Sequence, residues 1–523
     1  VASEDSHDDS PSLLLCGGID VDHIAPGAGA GSARWPHLAE NAMNHLCPFP
    51  SGRLRSIPRL ALLTVAISLA GCASTAVNDN HAQVQALTRR SVGVEVQWLT
   101  SDDARREAQA DTERLLAQPL SADDAVRIAL TYSPALQAML YESAAEAAET
   151  SRSARLPNPV FSFERLVRNA AGMREIEIGR VLSFSVLDLL LLPSRLQLAG
   201  YRGQVTRLTL ASEVVQAATD ARRAWINAVT AQQLLHYAEQ VKAAADAGAE
   251  LARRMQAAGN FSKLQRAREQ AFAADAVAQL ARARQIALAS REALVRALGL
   301  NDAQAGALIL PDRLPDLPAV PKDESLVSQA ALDQRLDVQM ARASLEFTAR
   351  EQGLTRFTGF VNGLELGIVR NSETVQPPQK GFELSLPLPI FDIGDASRSR
   401  SQALYMAALN RTAQLAVAAR SQVRESYGAY RTTYDLSRHY RDDIVPLRKA
   451  IAEENMLRYN GMLIGVFELL ADSRQQISSV MQAIEAQRDF WLADAALQAT
   501  LIGKPVSGPA MDAAFSSTST PSH

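Results

Sequence analysis

Three cysteines, Cys16, Cys47 and Cys72, are the first side chains in this sequence that could carry chemistry. None sits in a CxxC pair or beside a histidine at metal-ligand spacing, so neither a disulfide framework nor a zinc site is expected. His439, Asp442 and Asp443 fall within about one helical turn, close enough to offer ligands to a metal. A solvated helix face ahead of Pro446 is the stronger reading, and no metal site is expected. The sequence holds no Walker loop, no GxSxG, no HExxH, and no paired carboxylates beside a plausible pocket. No catalytic residue is assigned, and the chain is expected not to be an enzyme.

Cys72 has a sharper role. Arg53, Arg55 and Arg59 form a basic flank, Leu60 to Ala70 is an apolar run, and Leu69-Ala70-Gly71-Cys72 closes it. The run matches a signal core and is too short to span a bilayer. This order resembles the bacterial lipoprotein signal, in which cleavage falls before the cysteine and the thiol receives lipid. The alternative is a short buried helix with a chance cysteine. Residues 43–71 then read as a signal peptide starting at Met43, and residues 1–42 as an over-extended, disordered N-terminus. Position 73 is Ala rather than Asp, which in such lipoproteins favours the outer membrane. An acyl anchor on Cys72 is the one covalent group expected, with no other cofactor.

The elements behind these residues are mostly helical. Over 523 residues alanine is frequent and aromatics are only 5%, a composition suited to long helices packed side by side. The formal net charge of −4 comes without a basic stripe, so no nucleic-acid partner is expected. The mature chain also reads twice. Ala129-Leu130, Leu136-Gln137 and Leu182-Ser183-Phe184 recur as Ala331-Leu332, Val338-Gln339 and Leu384-Ser385-Leu386 at a nearly constant offset. Residues 119–310 form the first repeat and residues 324–503 the second. A 72–118 extended or equatorial segment, a Pro-rich 311–323 linker and a disordered 504–523 tail complete the chain.

Each repeat contains a strand pair, about residues 159–186 and 358–391. Ile176, Ile178, Leu182, Phe184 and Val186 share one parity, and Glu175, Glu177, Gly179, Ser183 and Ser185 the other. Phe382, Leu384, Leu386, Leu388 and Ile390 alternate with Glu383, Ser385, Pro387 and Pro389, after a partner strand from Phe360 to Val369. Such alternation suits a barrel with lipid outside and water inside, or a soluble sandwich with one buried face. On the first reading Glu175, Glu177 and Glu383 face the lumen. Four strands cannot close a barrel, and open edges are not stable in lipid, so several chains must share one wall. Between Ser194 and Gly299 there is no proline, and a reversal is expected only at Gly259-Asn260. The second half repeats this from about Ala396 to Leu501, with Pro446 interrupting and Gly461 and Gly465 at the reversal. Tyr141, Trp225 and Tyr427 read as helix-packing or equatorial residues with no assignable chemistry.

These features resemble the outer membrane efflux protein family, the TolC-like ducts, over about residues 118–503. The most specific stretches are Leu384 to Phe391, Arg458-Tyr459-Asn460-Gly461 with Phe467-Glu468-Leu469-Leu470, and Gly259-Asn260-Phe261-Ser262. The resemblance implies a mainly α fold with a small membrane β part: a long antiparallel coiled-coil α-barrel plus four strands given to a trimeric twelve-stranded outer-membrane β-barrel. It implies passive export of small molecules or metal ions, with a periplasmic adaptor and an inner-membrane pump of resistance-nodulation-division type. The alternatives are a duct for type I protein secretion and a periplasmic coiled-coil lipoprotein with a structural or adaptor role.

The family narrows its tunnel at the helix tips. Tyr459 matches the gate tyrosine and Glu468 an aperture acid. A second acid position falls on Ala471, beside Asp472. The bracing arginine falls near Ile464 and its first-half acid near Gln265. Part of that gate is missing, so the closed state is expected to be held differently. The bland reading of Glu468 and Asp472 is a solvated helix face. The first-half strand is expected to continue as Leu187 to Pro193, without the Pro-x-Pro form of the second repeat, which leaves its exit from the barrel open.

Overall fold

Four segments with a two-residue alternation become strands, and nearly everything with helical spacing becomes helix. The computed structural model describes residues 82–89, 93–170, 173–323, 335–359, 363–374 and 376–505. The expectations for residues 1–71, Cys72, the Phe360 start of a strand and the tail beyond 505 lie outside them.

Helix α1 (Asp102–Leu116) is capped by Ser101 and α2 (Ala122–Thr131) by Ser121, whose side chain accepts from the Asp124 amide. Helix α3 (Pro134–Ser153) starts on a proline, which loses no bond at that position. Strands β1 (Val160–Ala170) and β2 (Met173–Ser185) follow. Helix α4 (Val186–Ala257) then runs for 72 residues, about 110 Å, and α5 (Lys263–Leu298) returns along it. The second repeat gives α6 (Leu336–Thr358), β3 (Glu365–Glu373), β4 (Gln379–Ser385) and α7 (Asp395–His439). A π-helical turn, Tyr440–Ile444, leads without a break into α8 (Val445–Asn460), and α9 (Val466–Ile502) returns.

The core is divided into clusters, of which Leu208, Ala211 and Val215 with Leu336 join the two repeats. Leu120, Ile128, Trp225, Leu294, Leu298 and Leu314 pack in one cluster, and the Trp225 indole donates to the Leu120 carbonyl at 2.7 Å. Tyr430, Tyr434 and Leu497 surround Phe490 in another. Arg335 at the start of α6 is fully buried, its guanidinium shared by Asp337, Gln422 and the Ala419 carbonyl. That satisfies a charge which would otherwise be costly to bury.

The sheet order is β1-β2-β3-β4, antiparallel throughout. The central pair, β2 with β3, joins the two repeats. Among the described residues, the outer edges of β1 and β4 have no partner strand.

Three expectations are corrected. The last strand ends at Ser385, not Ile390, because Pro387 and Pro389 have no amide to give to a ladder. The first repeat has no extended exit like it. Helix α4 begins at Val186, its N-terminus capped by Ser185, whose hydroxyl accepts from the Asp188 amide at 3.2 Å, and it passes through Pro193. Pro446 does not interrupt the second long helix. It sits in the first turn of α8, after the π turn has displaced the hydrogen-bond pattern.

Gly394, between β4 and α7, takes φ +75°, and a Cβ there would lie 2.3 Å from the Gly359 carbonyl oxygen. Gly394→Ala therefore combines a left-handed backbone penalty of about 1–2 kcal/mol with a backbone clash. The expected outcome is a lowered thermal midpoint, read by scanning calorimetry. An unchanged midpoint would contradict the close approach.

Candidate functional site: an amphipathic sheet on long helices with a tied tip

The cross-strand register sorts the sheet into two faces. Phe161 pairs with Leu182, Leu182 with Ile368 and Ile368 with Phe382, which makes one apolar row across all four strands. Phe161, Ile368 and Phe382 are 62%, 60% and 79% exposed, so this face is greasy and uncovered. An exposed apolar surface of this extent marks an interaction with protein or membrane. No helix among the described residues is long and apolar enough to cross a membrane.

The opposite face is acidic. A Cβ on Gly367 would meet Val181, Glu383 and Ser183, and one on Gly179 would meet Glu164 and Asn371, which places these side chains together. Glu175 and Glu177 share this face with them, as do Glu365 and Glu373. Glu177 stands directly opposite Glu373, a repulsive pair, and Arg168 reaches Glu175 at 4.0 Å. The three lumen candidates Glu175, Glu177 and Glu383 thus lie on the polar face.

At the far ends of the helices the two reversals lie close together. Gly259, with φ +81°, and Asn260 form the turn between α4 and α5. Gly461 follows α8, Gly465 precedes α9, and Met462 between them takes φ 58°. Tyr459 is half-buried against Ala252, Phe261 and Val466. Glu468 is exposed, whereas Asp472 accepts a hydrogen bond from Asn455. Gln265 is spent on a capping box with Ser262, and Ala471 is exposed.

The tie between the hairpins is a pair that sequence reasoning missed. Arg474 of α9 donates to Glu269 of α5, and its guanidinium lies 4.6 Å from the Phe272 ring centre. The Glu269 side chain is 2% exposed. Gly248 of α4 lies alongside, where a Cβ would meet the Glu269 carboxylate at 3.8 Å, an ordinary contact distance.

Near the same end, Glu250 accepts from Arg253 and Arg254, with contacts of 2.7–2.8 Å. Hydrogen bonds from Arg253, then Arg254, hold its carboxyl down at about 2. It therefore stays ionised as pH falls through the ordinary carboxylate range. In an Arg253→Gln/Arg254→Gln variant the value should climb back toward 4.5, read by carbon-detected NMR titration. A midpoint still near 2 would show that the arginines are not the cause.

The remaining candidates have structural partners. His439 bonds Asp443 at 2.7 Å on an exposed face, and Asp442 is held by Arg441 and Arg438. Tyr141 donates to the Leu99 carbonyl and meets Trp98 edge-on, and Tyr427 donates to the Lys322 carbonyl.

No sequence-family profile and no curated protein sequence matches the chain. Solved structures do. A membrane protein from Pseudomonas aeruginosa aligns at 19% identity with a TM-score of 0.62, covering 75% of this chain and 93% of that one. The CmeC outer membrane channel of Campylobacter jejuni aligns at 15% identity and 0.62, covering 73% and 86%. The outer membrane protein VceC of Vibrio cholerae aligns at 13% and 0.61, covering 73% and 96%. The chain has the TolC-like outer membrane factor fold: mainly helical, duplicated, with a small four-stranded antiparallel sheet.

Proposed function

We propose that this chain is the outer-membrane exit duct of a tripartite efflux system, working as a homotrimer. The observation that carries it is the sheet: one uncovered apolar face, one acidic face, and two unpaired edges. In hydrocarbon every backbone donor and acceptor needs a partner, so β4 of one copy must pair with β1 of the next. Three copies close twelve strands, an even number within the range of such barrels. The long helices then continue the wall into the periplasm as a coiled-coil α-barrel.

The acid-rich face becomes the lumen lining, which favours cations and disfavours anions. That suits passive export of small molecules or metal ions. Energy comes from an inner-membrane pump, of the resistance-nodulation-division type, through a periplasmic adaptor. The lipid on Cys72 anchors the chain to the outer membrane. This assignment leaves the chain without catalysis of its own.

The mature chain should run as a heat-resistant trimer on a gel and give single-channel conductance in a planar bilayer. A water-soluble single copy without conductance would remove the duct and favour a coiled-coil lipoprotein instead.

A further inference from the structure

On the apolar face of the sheet, the charges have one sign. Arg180 of β2 pairs with Arg370 of β3, and Arg370 with Lys380 of β4. Neighbouring strands lie about 4.8 Å apart, so the three cations form one row within roughly 10 Å. Arg165 of β1 stands one row nearer the hairpin turns, opposite Ile178. No acid of the described strands shares this face. Among the described residues, none of these four cationic side chains has an ion-pair partner.

An arginine or lysine on the lipid side of a barrel costs about 2–4 kcal/mol at the bilayer midplane and about 0–1 near an interface. A whole row of them is therefore placed at an interface. Lys380 lies four residues from Leu384 toward the hairpin turns, about 13 Å along the strand and away from the helices. The inference rests on the duct reading, under which that direction is the cell exterior. The row then meets the outer leaflet.

We propose that Arg180, Arg370 and Lys380 bind the phosphate groups of the anionic glycolipid of that leaflet, phosphorylated lipid A. The guanidinium forks of two arginines suit bidentate contact with phosphate oxygens, and the lysine adds a point charge. Directly below, the Phe161, Leu182, Ile368 and Phe382 row offers an apolar bed for the acyl chains of the same molecule. Phosphate above and hydrocarbon below describe one amphiphile, not a free ion. In the trimer the row recurs on each copy.

The test uses the full mature chain in nanodiscs carrying lipid A with or without its phosphates, with bound lipid read by native mass spectrometry. The wild-type trimer should retain the phosphorylated form about tenfold better than the dephosphorylated form. The Arg180→Gln/Arg370→Gln/Lys380→Gln variant should lose that preference while still conducting. Arg168→Gln, on the opposite face, should keep it. Equal retention by the triple variant overturns the proposal. Displacement of the lipid by excess inorganic phosphate also overturns it, because the site would then hold phosphate alone. A wild-type chain that neither trimerises nor conducts brings down the duct reading, and this proposal with it.

Discussion

Arg474→Ala should raise the current through the closed trimer about a hundredfold in open probability, while the trimer itself survives. Arg474 is the link between α9 of the second repeat and α5 of the first, through the almost fully buried Glu269. Removing one partner of a buried ion pair strands the other charge and costs about 3–5 kcal/mol. Arg474 itself is 29% exposed, so the low end, about 3 kcal/mol, is the appropriate figure. Applied to a two-state closed–open equilibrium, that is roughly a hundredfold shift. Glu269→Gln should act in the same direction but less, since an amide can still accept from the guanidinium. Glu269→Leu/Arg474→Leu should restore thermal stability without restoring closure, because it removes the stranded charge together with the tie. Single-channel recording in planar bilayers gives the open probability directly. If Arg474→Ala conducts as wild type does, the pair is only a packing contact.

The strand faces were legible in advance because their cause is local. Ile176, Ile178, Leu182 and Phe184 alternate with Glu175, Glu177 and Ser183, and a pleat sends neighbours to opposite sides. The cation row was not legible. It depends on the β2–β3 register, which pairs residues almost two hundred positions apart, and no local pattern fixes that number. The Glu269–Arg474 tie was hidden for a related reason. Both sit in charge-rich helices where a buried glutamate looks like a solvated one, and only the approach of Arg474 from the other repeat distinguishes it. The leucine run after Ser185 misled in the other direction. Leu187 to Leu192 would suit a strand, but the Ser185 cap starts a helix ahead of them, and Leu189 and Leu190 end up exposed on it.

The apolar face makes the second large prediction. Leu384 pairs with Leu366, which pairs with Phe184, about 13 Å below the cation row, and Leu384→Lys puts a cation in the middle of the greasy wall. Near the midplane of a bilayer that costs about 2–4 kcal/mol per copy, and about 6–12 kcal/mol when a closed trimer carries three. That exceeds half of what a typical domain has in hand, so heat-resistant trimer in outer-membrane fractions should fall below detection. Ser385→Lys is the matching change on the opposite face, in register with Glu365 and exposed. It adds the same charge, at nearly the same height, to a water-lined and acid-rich surface, where assembly should be normal and cation preference reduced. The pair separates a membrane wall from a soluble sheet. In a soluble molecule Leu384 is already exposed and both lysines would be tolerated alike. If the two variants trimerise equally well, the greasy face does not meet lipid.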